Sequence, residues 1–482
     1  MKTIDKILSV GIDIGTTTTQ LVFSRITLEN MAGFASVPRI VIIDKEVIYR
    51  SKIYFTPLVS HNEIDYEGIL SIVDAEYKAA RIVKSDLSTG AVIITGETSR
   101  KDNANIVLRM LSGYAGEFVV ATAGPDLEAV LAAKGAGVQT LSKDLKSTIA
   151  NLDIGGGTTN IAVFRHGQLV DTTCADIGGR LIQVNKGKIS YIAPKIKWLA
   201  DQIGIRITEG ETVNAVSLQS VTKAMTEVLR SILRCEKNNK LADYMLTVDG
   251  LKLLSPIDAI TFSGGVADLI YEPDQGKSPP FAFGDIGATL GAAIRNSGFY
   301  KEYRVLKPME TIRATVIGAG IHTMELSGST IEYTDKTLPV QNVPIVKLTL
   351  DDELMVEGSY PYIADAVAKK LNWYKIDNDY QTAALSLKGV QNPSYKQIQI
   401  LCAALCEGLK EYITSGKPVI IVVEKDMAKA LGQAMRIYLG NQCRVICIDS
   451  VSVENGDYID IGTPLAHGRV VPVVIKTLAL NV

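Results

Sequence analysis

The chain has 482 residues, of which 47% are hydrophobic, enough for roughly two to four domains with cores of their own. Its 50 lysine and arginine residues nearly balance 52 aspartate and glutamate residues, so the net charge is −2 and the pI about 6.2. This balance argues against nucleic acid or an anionic membrane surface as a partner, and we expect neither.

The apolar runs and the cysteines indicate a protein of a reducing compartment. Asp5, Lys6 and Asp13 interrupt the N-terminal stretch, which therefore does not resemble a signal peptide. The longest apolar runs, at 419–423 and 470–475, are far shorter than the ~20 residues that cross a bilayer. None of the six cysteines forms a CxxC pair, and the four histidines are widely separated, so no zinc site is indicated. We expect a cytoplasmic protein.

The first chemical motif is the stretch SVGIDIGTTTTQLVFS at residues 9–24. An apolar run ends at Asp13, turns at Gly15 and continues through four threonines into a second apolar run, which predicts a β-hairpin. Successive backbone N–H groups in such a turn form a concavity that binds anions, and threonine hydroxyls add donors. The aspartate before the turn can face a phosphate only with a cation between them.

A second copy of this motif, NLDIGGGTTNIAVFR, lies at residues 151–165. It aligns with residues 11–25 without a gap, and the offset between Asp153 and Asp13 is 140 residues. A repeat of this length indicates two similar domains with a ligand between them. Two ordinary hairpins remain the alternative, but the ungapped repetition favours two phosphate-holding turns, each with a carboxylate for a hydrated Mg²⁺.

Three further segments complete the pattern in chain order. Residues 118–137 predict a strand, a turn and a helix of small residues, a candidate hinge between domains. Gly264 and Gly265 follow a short apolar strand, and such a pair lets a flat ring lie against the backbone. Residues 283–298 predict a second helix rich in small residues, either the matching hinge helix or a tightly packed core helix.

The last third of the chain predicts a second α/β unit. Residues 358–415 are expected to be mainly helical, 417–439 to form a buried strand, turn and helix, and 444–453 another strand. By elimination this region is the candidate for holding a partner protein.

These segments, taken in order over residues 1–298, resemble the phosphate-1, connect-1, phosphate-2, adenosine and connect-2 segments of the actin/Hsp70/sugar-kinase superfamily. Residues 95–137, 316–331 and 455–480 further resemble the ethanolamine ammonia-lyase reactivating factors of bacterial ethanolamine utilisation. The resemblance implies an α/β, actin-like ATPase fold with two RNase H-like subdomains around a nucleotide cleft.

The resemblance also implies a division of the chain and a set of site residues. The first subdomain is expected at 1–150, the second at 151–300 and a carboxy-terminal α/β region at 301–482. ATP and Mg²⁺ are the expected cofactors, with Asp13 and Asp153 orienting the waters of the metal. The residues expected to cradle phosphates are Gly15, Thr16, Thr17, Thr18, Gly155, Gly156, Gly157 and Thr158, and those expected to face adenine or ribose are Gly264 and Gly265.

Two positions leave the roles within the resemblance open. Hsp70-like second hairpins usually carry aspartate where this chain has Asn160, so a carboxylate role there is in doubt. Some relatives place an acidic residue at the start of the first hinge helix to position the attacking water. Asp126 lies nearest that place and is the candidate catalytic residue, although it could equally serve as a first-turn cap.

The function implied by the resemblance is that of a chaperone-like ATPase. Family members act on ethanolamine ammonia-lyase, the expected partner, and use ATP and Mg²⁺ to exchange its damaged cobalamin for intact adenosylcobalamin. Association with a bacterial microcompartment is a further expectation. The rival interpretations are a small-molecule kinase, an iron–sulfur activase of a radical dehydratase, and a filament-forming actin relative. The cysteine spacing does not favour the activase.

Overall fold

The computed structural model describes most of the chain. The residues outside the description are 1–3, 32–39, 61–62, 97, 99–100, 112–113, 115–119, 123–124, 254, 273–280, 282, 323, 350–359, 373–374, 377–378, 441–442, 454–456 and 478–482. Among the described residues, no helix is long and apolar enough to span a membrane.

A mixed sheet with its helices occupies the first part of the chain. The strands are β1 (Ile4–Ile14), β2 (Thr18–Asn30), β3 (Ile40–Arg50), β4 (Tyr54–Phe55), β5 (Leu58–Ser60), β6 (Glu63–Ile64), β7 (Leu87–Ile94) and β8 (Val120–Thr122). The helices are α1 (Tyr66–Ala80), a 3₁₀ turn (Lys84–Asp86), α2 (Ala104–Leu111), α3 (Pro125–Gly135) and α4 (Val138–Asp144). The sheet order is β3-β2-β1-β7-β8, with β4 on β2 and a separate β5–β6 pair.

The alternation of residues along β1 explains how the sheet is covered. Val10, Ile12 and Ile14 are fully buried in one apolar cluster with Ile69 and Val73 of α1. Successive side chains of a strand point to opposite faces, so the residues between them face the other side of the sheet. Two layers of helices can therefore cover this sheet.

A second sheet repeats this arrangement. Its strands are β9 (Thr148–Ile154), β10 (Thr159–Arg165), β11 (Gln168–Ala175), β14 (Ala259–Ser263) and β15 (Arg304–Val305), and β12 (Ile182–Asn185) pairs with β13 (Lys188–Ile192). The helices are α5 (Pro194–Gln202), α6 (Ala215–Leu233), α7 (Lys240–Met245), α8 (Ala267–Tyr271), α9 (Gly287–Arg295) and α10 (Phe299–Glu302). Asn214 caps α6 by accepting from the N–H groups of Val216 and Ser217.

The two sheets share one topology. The second has the order β11-β10-β9-β14-β15, and in both sheets three antiparallel strands are followed by two parallel ones. This is the strand order of an RNase H-like unit. The repeated unit confirms the predicted actin-like ATPase fold.

The carboxy-terminal region forms a third sheet. Its strands are β16 (Met324–Leu326), β17 (Glu332–Tyr333), β18 (Val340–Lys347), β21 (Ala384–Leu387), β22 (Val419–Val423), β23 (Val445–Asp449), β24 (Asp457–Ile461) and β25 (Pro472–Thr477), in the order β16-β25-β24-β18-β21-β22-β23-β17. The remaining elements are α12 (Tyr360–Leu371), β19 (Lys375–Ile376), β20 (Asp379–Tyr380), α13 (Tyr395–Gly408), α14 (Lys410–Thr414) and α15 (Ala428–Leu439).

The predictions for this region are mostly confirmed. The strand, turn and helix expected at 417–439 are β22 and α15, and the strand expected at 444–453 is β23. The segment 358–415 contains helices but also β19, β20 and β21, because β21 runs buried between β18 and β22 of the sheet.

One helix, α11 (Ala314–His322), joins the two actin-like units. It follows the second sheet in the chain but packs against β1 and α3. A Cβ added at Gly318 would collide with the carbonyl oxygen of Leu131, and one at Gly11 with that of Val316. Ser9 Oγ also donates to the carbonyl oxygen of Gly320 at 2.6 Å. The backbones of α3, α11 and β1 are therefore in direct contact.

This contact corrects the expectation for the second hinge helix. Residues 283–298 contain α9, which packs against α6 and α8 within the second unit. The helix that crosses to the first unit is α11. Since β15 joins the second sheet and α11 the first unit, we propose that the carboxy-terminal region begins after His322 rather than at residue 301.

Candidate functional site

A cavity of about 430 Å³ lies between the two actin-like units. The structure brings every residue predicted to hold phosphate, metal or adenosine to its wall. These residues are Asp13, Gly15, Thr16, Thr17, Thr18, Asp153, Gly155, Gly156, Gly157, Thr158, Gly264 and Gly265. Their roles toward a ligand remain predictions.

The two hairpin turns have the same backbone geometry. The N–H of Gly15 donates to the carbonyl oxygen of Thr18 at 2.9 Å, and the N–H of Gly155 donates to that of Thr158 at 2.9 Å. A Cβ added at Gly156 would collide with Thr17 Oγ1, so the tips of the hairpins approach each other across the cavity. Glycine at 156 is what allows this approach.

Each hairpin carries a buried aspartate at the end of its first strand. Thr95 Oγ1 donates to Asp13 Oδ1 at 2.9 Å, while Ser263 Oγ donates to Asp153 Oδ1 at 2.6 Å and Thr315 Oγ1 to Asp153 Oδ2 at 3.4 Å. Burial raises the pKa of Asp13 to about 7, and the charge of Asp153 adds to the rise. Burial raises the pKa of Asp153 to about 6, against the effect of its two hydroxyl donors.

A third carboxyl in the cavity, that of Glu128, was not predicted from the sequence. Glu128 lies in the first turn of α3, is 9% exposed, and accepts from the N–H of Gly96 at 3.2 Å. Burial, Asp153 and Asp13 raise its pKa to about 8, while hydrogen bonds from Gly96 and the Asn160 side chain oppose the rise. Where Hsp70-like hairpins carry an aspartate, this chain therefore has an amide side chain that forms a hydrogen bond with the carboxyl of Glu128.

The structure places the predicted catalytic residue, Asp126, outside the cavity. Asp126 lies in the first turn of α3, and its Oδ1 accepts from Thr172 Oγ1 on β11 at 2.6 Å. It is absent from the cavity wall, where Glu128 stands instead. The acidic residue of this helix that lines the cavity is thus Glu128, two positions after Asp126.

The turn after β14, which is predicted to face adenosine, forms one side of the cavity. Gly264 has φ +85°, and a Cβ there would lie 2.5 Å from the carbonyl oxygen of Ile154, so only glycine fits without strain. A second cavity of about 670 Å³ between α6 and α9 shares Leu269 and Phe283 with the first.

The cavity wall is strongly acidic. Among the described lining residues the carboxylic acids are Asp13, Glu128, Asp153, Asp268 and Asp285, and Arg180 is the one cationic side chain. Two oxygens in the wall, Thr17 Oγ1 and Gln20 Oε1, are buried without a hydrogen-bond partner in the described structure, and so is Asn160 Oδ1 on the second hairpin. Gln20 and Asn160 stand opposite Asp13 and Asp153 in their hairpins.

Comparison with known proteins identifies the family. The model of the family described as ethanolamine utilisation protein EutA matches residues 5–481. The chain belongs to this family. The ethanolamine ammonia-lyase reactivase EutA of Salmonella typhimurium is 37% identical over 477 residues, which cover 98% of each chain. The protein of the same name from Escherichia coli K12 is 36% identical over 476 residues, again covering 98% of each chain.

Solved structures with related folds have much lower similarity. The Ppx/GppA family member of Aquifex aeolicus is 14% identical, covers 65% of this chain and 97% of its own, and has a TM-score of 0.39. The activator of 2-hydroxyisocaproyl-CoA dehydratase from Clostridium difficile, with bound ADPNP, is 14% identical, covers 66% and 94%, and has a TM-score of 0.28. Both scores lie below 0.5, so they add nothing to the family assignment.

Proposed function

We propose that this chain is an ATP- and Mg²⁺-dependent reactivating factor for ethanolamine ammonia-lyase, which promotes exchange of damaged cobalamin for intact adenosylcobalamin. Family membership and the names of the curated relatives support the reactivating role. The observation that supports the nucleotide is the pair of matching hairpins around one cavity, each with a buried aspartate. Location in the cytoplasm or a bacterial microcompartment stays a prediction.

The residues of the cavity fit a hydrated magnesium ion. No three histidine, cysteine, aspartate or glutamate side chains of the described chain are arranged to hold a metal directly. Mg²⁺, however, usually keeps several waters and binds through one or two carboxylates plus the phosphates of its nucleotide. Asp13 and Asp153 can accept hydrogen bonds from such waters, as can the unpartnered Oε1 of Gln20. When bound, the ion would neutralise phosphate charge in this acidic cavity.

The remaining chemistry belongs to the chain's own groups. The turns of Gly15–Thr18 and Gly155–Thr158 line the cavity, and the backbone N–H groups and hydroxyls of such turns would serve as donors to the phosphates. Glu128 lines the same cavity as both turns, and its carboxyl, whose pKa is raised to about 8, can accept a proton from the attacking water once it is ionised. We therefore assign to Glu128 the role first predicted for Asp126.

The conformational step would use the helix pair α3 and α11. Glu128 lies on α3 and Thr315, which donates to Asp153, lies on α11, so each helix carries one contact with the cavity. The next described element after α11 is β16, the edge strand of the third sheet. A change at the carboxylates can thus be transmitted to the carboxy-terminal region, our candidate for contact with the lyase.

A reactivation assay tests this proposal. Ethanolamine ammonia-lyase inactivated with a non-productive cobalamin is incubated with the protein, Mg²⁺, ATP and fresh adenosylcobalamin. We expect recovery that requires ATP, is lost in Asp13→Ala, Asp153→Ala and Glu128→Gln, and is retained in the control Asp126→Asn. Binding of ATP without any recovery would contradict the assigned partner, and small-molecule phosphoryl acceptors would then be screened.

The cysteines argue against the rival activase. A cluster bridging two subunits needs thiolates at the surface of each. Five of the six cysteines are buried, and only Cys235 is partly exposed. Cys402, Cys406, Cys443 and Cys447 instead belong to the apolar core between β22, α13 and α15.

A further inference from the structure

Arg180 is fixed beside the second hairpin by its backbone. Its N–H donates to the carbonyl oxygen of Gly156 at 2.7 Å, and its Cβ lies 3.7 Å from the position that a Cβ on Gly156 would take. The side chain then extends across the cleft, and the guanidinium carbon lies 5.8 Å from the centre of the Phe55 ring. Phe55 pairs with Thr18 of the first hairpin, so this contact spans the two units.

The charge of Arg180 has no strong partner in the described structure. It is the one cationic side chain on the described wall of a cavity that has five carboxyl groups. Within the described residues, no hydrogen bond or ion pair of its guanidinium is formed. The charge of Arg180 acts on Asp285, where it opposes the rise in pKa caused by burial, but Asp285 Oδ1 already accepts from the N–H of Gly287 at 2.9 Å.

The contact with Phe55 is weak compared with what an anion would offer. Phe55 is 69% exposed, and a cation–π contact at an exposed site contributes little. A phosphate oxygen accepts from guanidinium with a charge-assisted, often bidentate hydrogen bond, which is considerably stronger. The guanidinium thus rests on a ring that a phosphate group can displace.

We propose that Arg180 is a binding residue that recognises the phosphate chain of the nucleotide and makes the site select phosphorylated ligands over nucleosides. In this structure the guanidinium lies over the Phe55 ring, and when a nucleotide binds it would move to a phosphate oxygen. This inference rests on the proposed function, because it requires a nucleotide in this cavity.

Calorimetric titration of the full chain with Mg·ATP, Mg·ADP and adenosine tests the assignment. Arg180→Gln should weaken ATP and ADP binding by about 10- to 150-fold, the range of a hydrogen bond to a charged group, and leave adenosine within about twofold. Arg180→Lys keeps the positive charge but loses the paired N–H donors of the guanidinium, so its ATP affinity should fall between those of wild type and Arg180→Gln. Phe55→Leu removes the competing ring and should strengthen ATP binding by about two- to fivefold.

Each arm separates a recognition role from a structural one. Wild-type ATP affinity in Arg180→Gln would overturn the inference, and so would an equal loss of adenosine binding, because the arginine would then only support the fold. If the unmodified protein binds neither ATP nor adenosine, the proposed function itself fails. ATP binding with unchanged selectivity in the variant leaves the proposed function intact and removes only the role of Arg180.

Discussion

The two hairpins of the cavity have the same turn but different electrostatics. Both close with a 2.9 Å hydrogen bond, from Gly15 to Thr18 and from Gly155 to Thr158. Yet the pKa of Asp13 is raised to about 7 and that of Asp153 only to about 6. The repeated sequence determines the backbone, whereas residues from distant parts of the chain determine the acidity of each aspartate.

Burial is the largest cause of the raised pKa of both aspartates, which differ in the hydroxyl donors and the charge around them. Asp13 has one, from Thr95, and also feels the charge of Asp153. Asp153 has two, from Ser263 and from Thr315 on α11. Because hydrogen bonds to the charged form favour ionisation, Asp153 is the stronger acid. The helix that crosses between the units therefore also makes their two carboxyls unequal.

The largest effect is expected where the two units are joined, at Gly318. A Cβ there would collide with the carbonyl oxygen of Leu131, which belongs to the backbone of α3 and cannot move away as a side chain can. Gly318→Val should therefore destabilise the protein by about 3 kcal/mol or more and lower Tm by several degrees in calorimetry.

Gly265→Ala is the matched control for this substitution. Nothing lies within 4 Å of a Cβ added at Gly265, so its Tm should equal that of the unmodified protein. An unchanged Tm in Gly318→Val would mean that α3 and α11 are not in direct backbone contact.

The sequence predicts the hairpins because their signal is local and repeated. An aspartate, a glycine turn and threonines specify the turn wherever they occur, and two copies 140 residues apart reveal the two units. The choice between α9 and α11 as the crossing helix could not be made this way. Both helices contain glycines, and only the position of β15 between them shows which helix leaves the second sheet.

Glu128 was not predicted from the sequence as a cavity residue, for a geometric reason. Asp126 and Glu128 are two positions apart, which is about 200° around a helix, so they point to nearly opposite sides of α3. Asp126 accepts a hydrogen bond from Thr172 on β11, whereas Glu128 accepts one from Gly96 on the cavity side of the helix. No local pattern distinguishes the two sides, because α3 is apolar almost all around: the buried residues include Ala129, Leu131 and Ala132.

The difference between the two aspartates should appear in the pH dependence of Mg·ATP binding. Below pH 6 Asp13 is protonated, so Asp13→Asn should bind Mg·ATP almost as the unmodified protein does, and about 10- to 100-fold more weakly at pH 8. Asp153→Asn should lose affinity already near pH 6.5, because Asp153 ionises there. Titrations from pH 5.5 to 8.5 measure both profiles. Parallel curves for the two variants would show that the carboxyls are equivalent.

The stability of the ligand-free protein should fall as the pH rises. Asp13 and Glu128 have native pKa values of about 7 and about 8, raised from 3.8 and 4.5, so the native state holds protons that the unfolded chain has released. The contribution of these two carboxyls to the unfolding free energy is therefore largest below about pH 4 and decreases until about pH 8. Glu128→Gln should flatten the upper part of this decrease. Tm is measured from pH 5 to 9 without nucleotide for the unmodified protein and for Glu128→Gln. The same slope of Tm against pH in both proteins would contradict this prediction.

The smallest effect is expected at Thr315, whose hydroxyl makes the two hairpins unequal. The 3.4 Å hydrogen bond to Asp153 is long, so its removal in Thr315→Val should cost less than about 1 kcal/mol. The pKa of Asp153 should nevertheless rise toward that of Asp13, since one donor to the ionised form is lost. The midpoint of the Mg·ATP affinity profile near pH 6 should then shift upward by a fraction of a pH unit, while Thr315→Ser, which keeps the hydroxyl, should show no shift. If both variants behave like the unmodified protein, Ser263 alone accounts for the acidity of Asp153, and α11 carries no electrostatic link between the cavity and the third sheet.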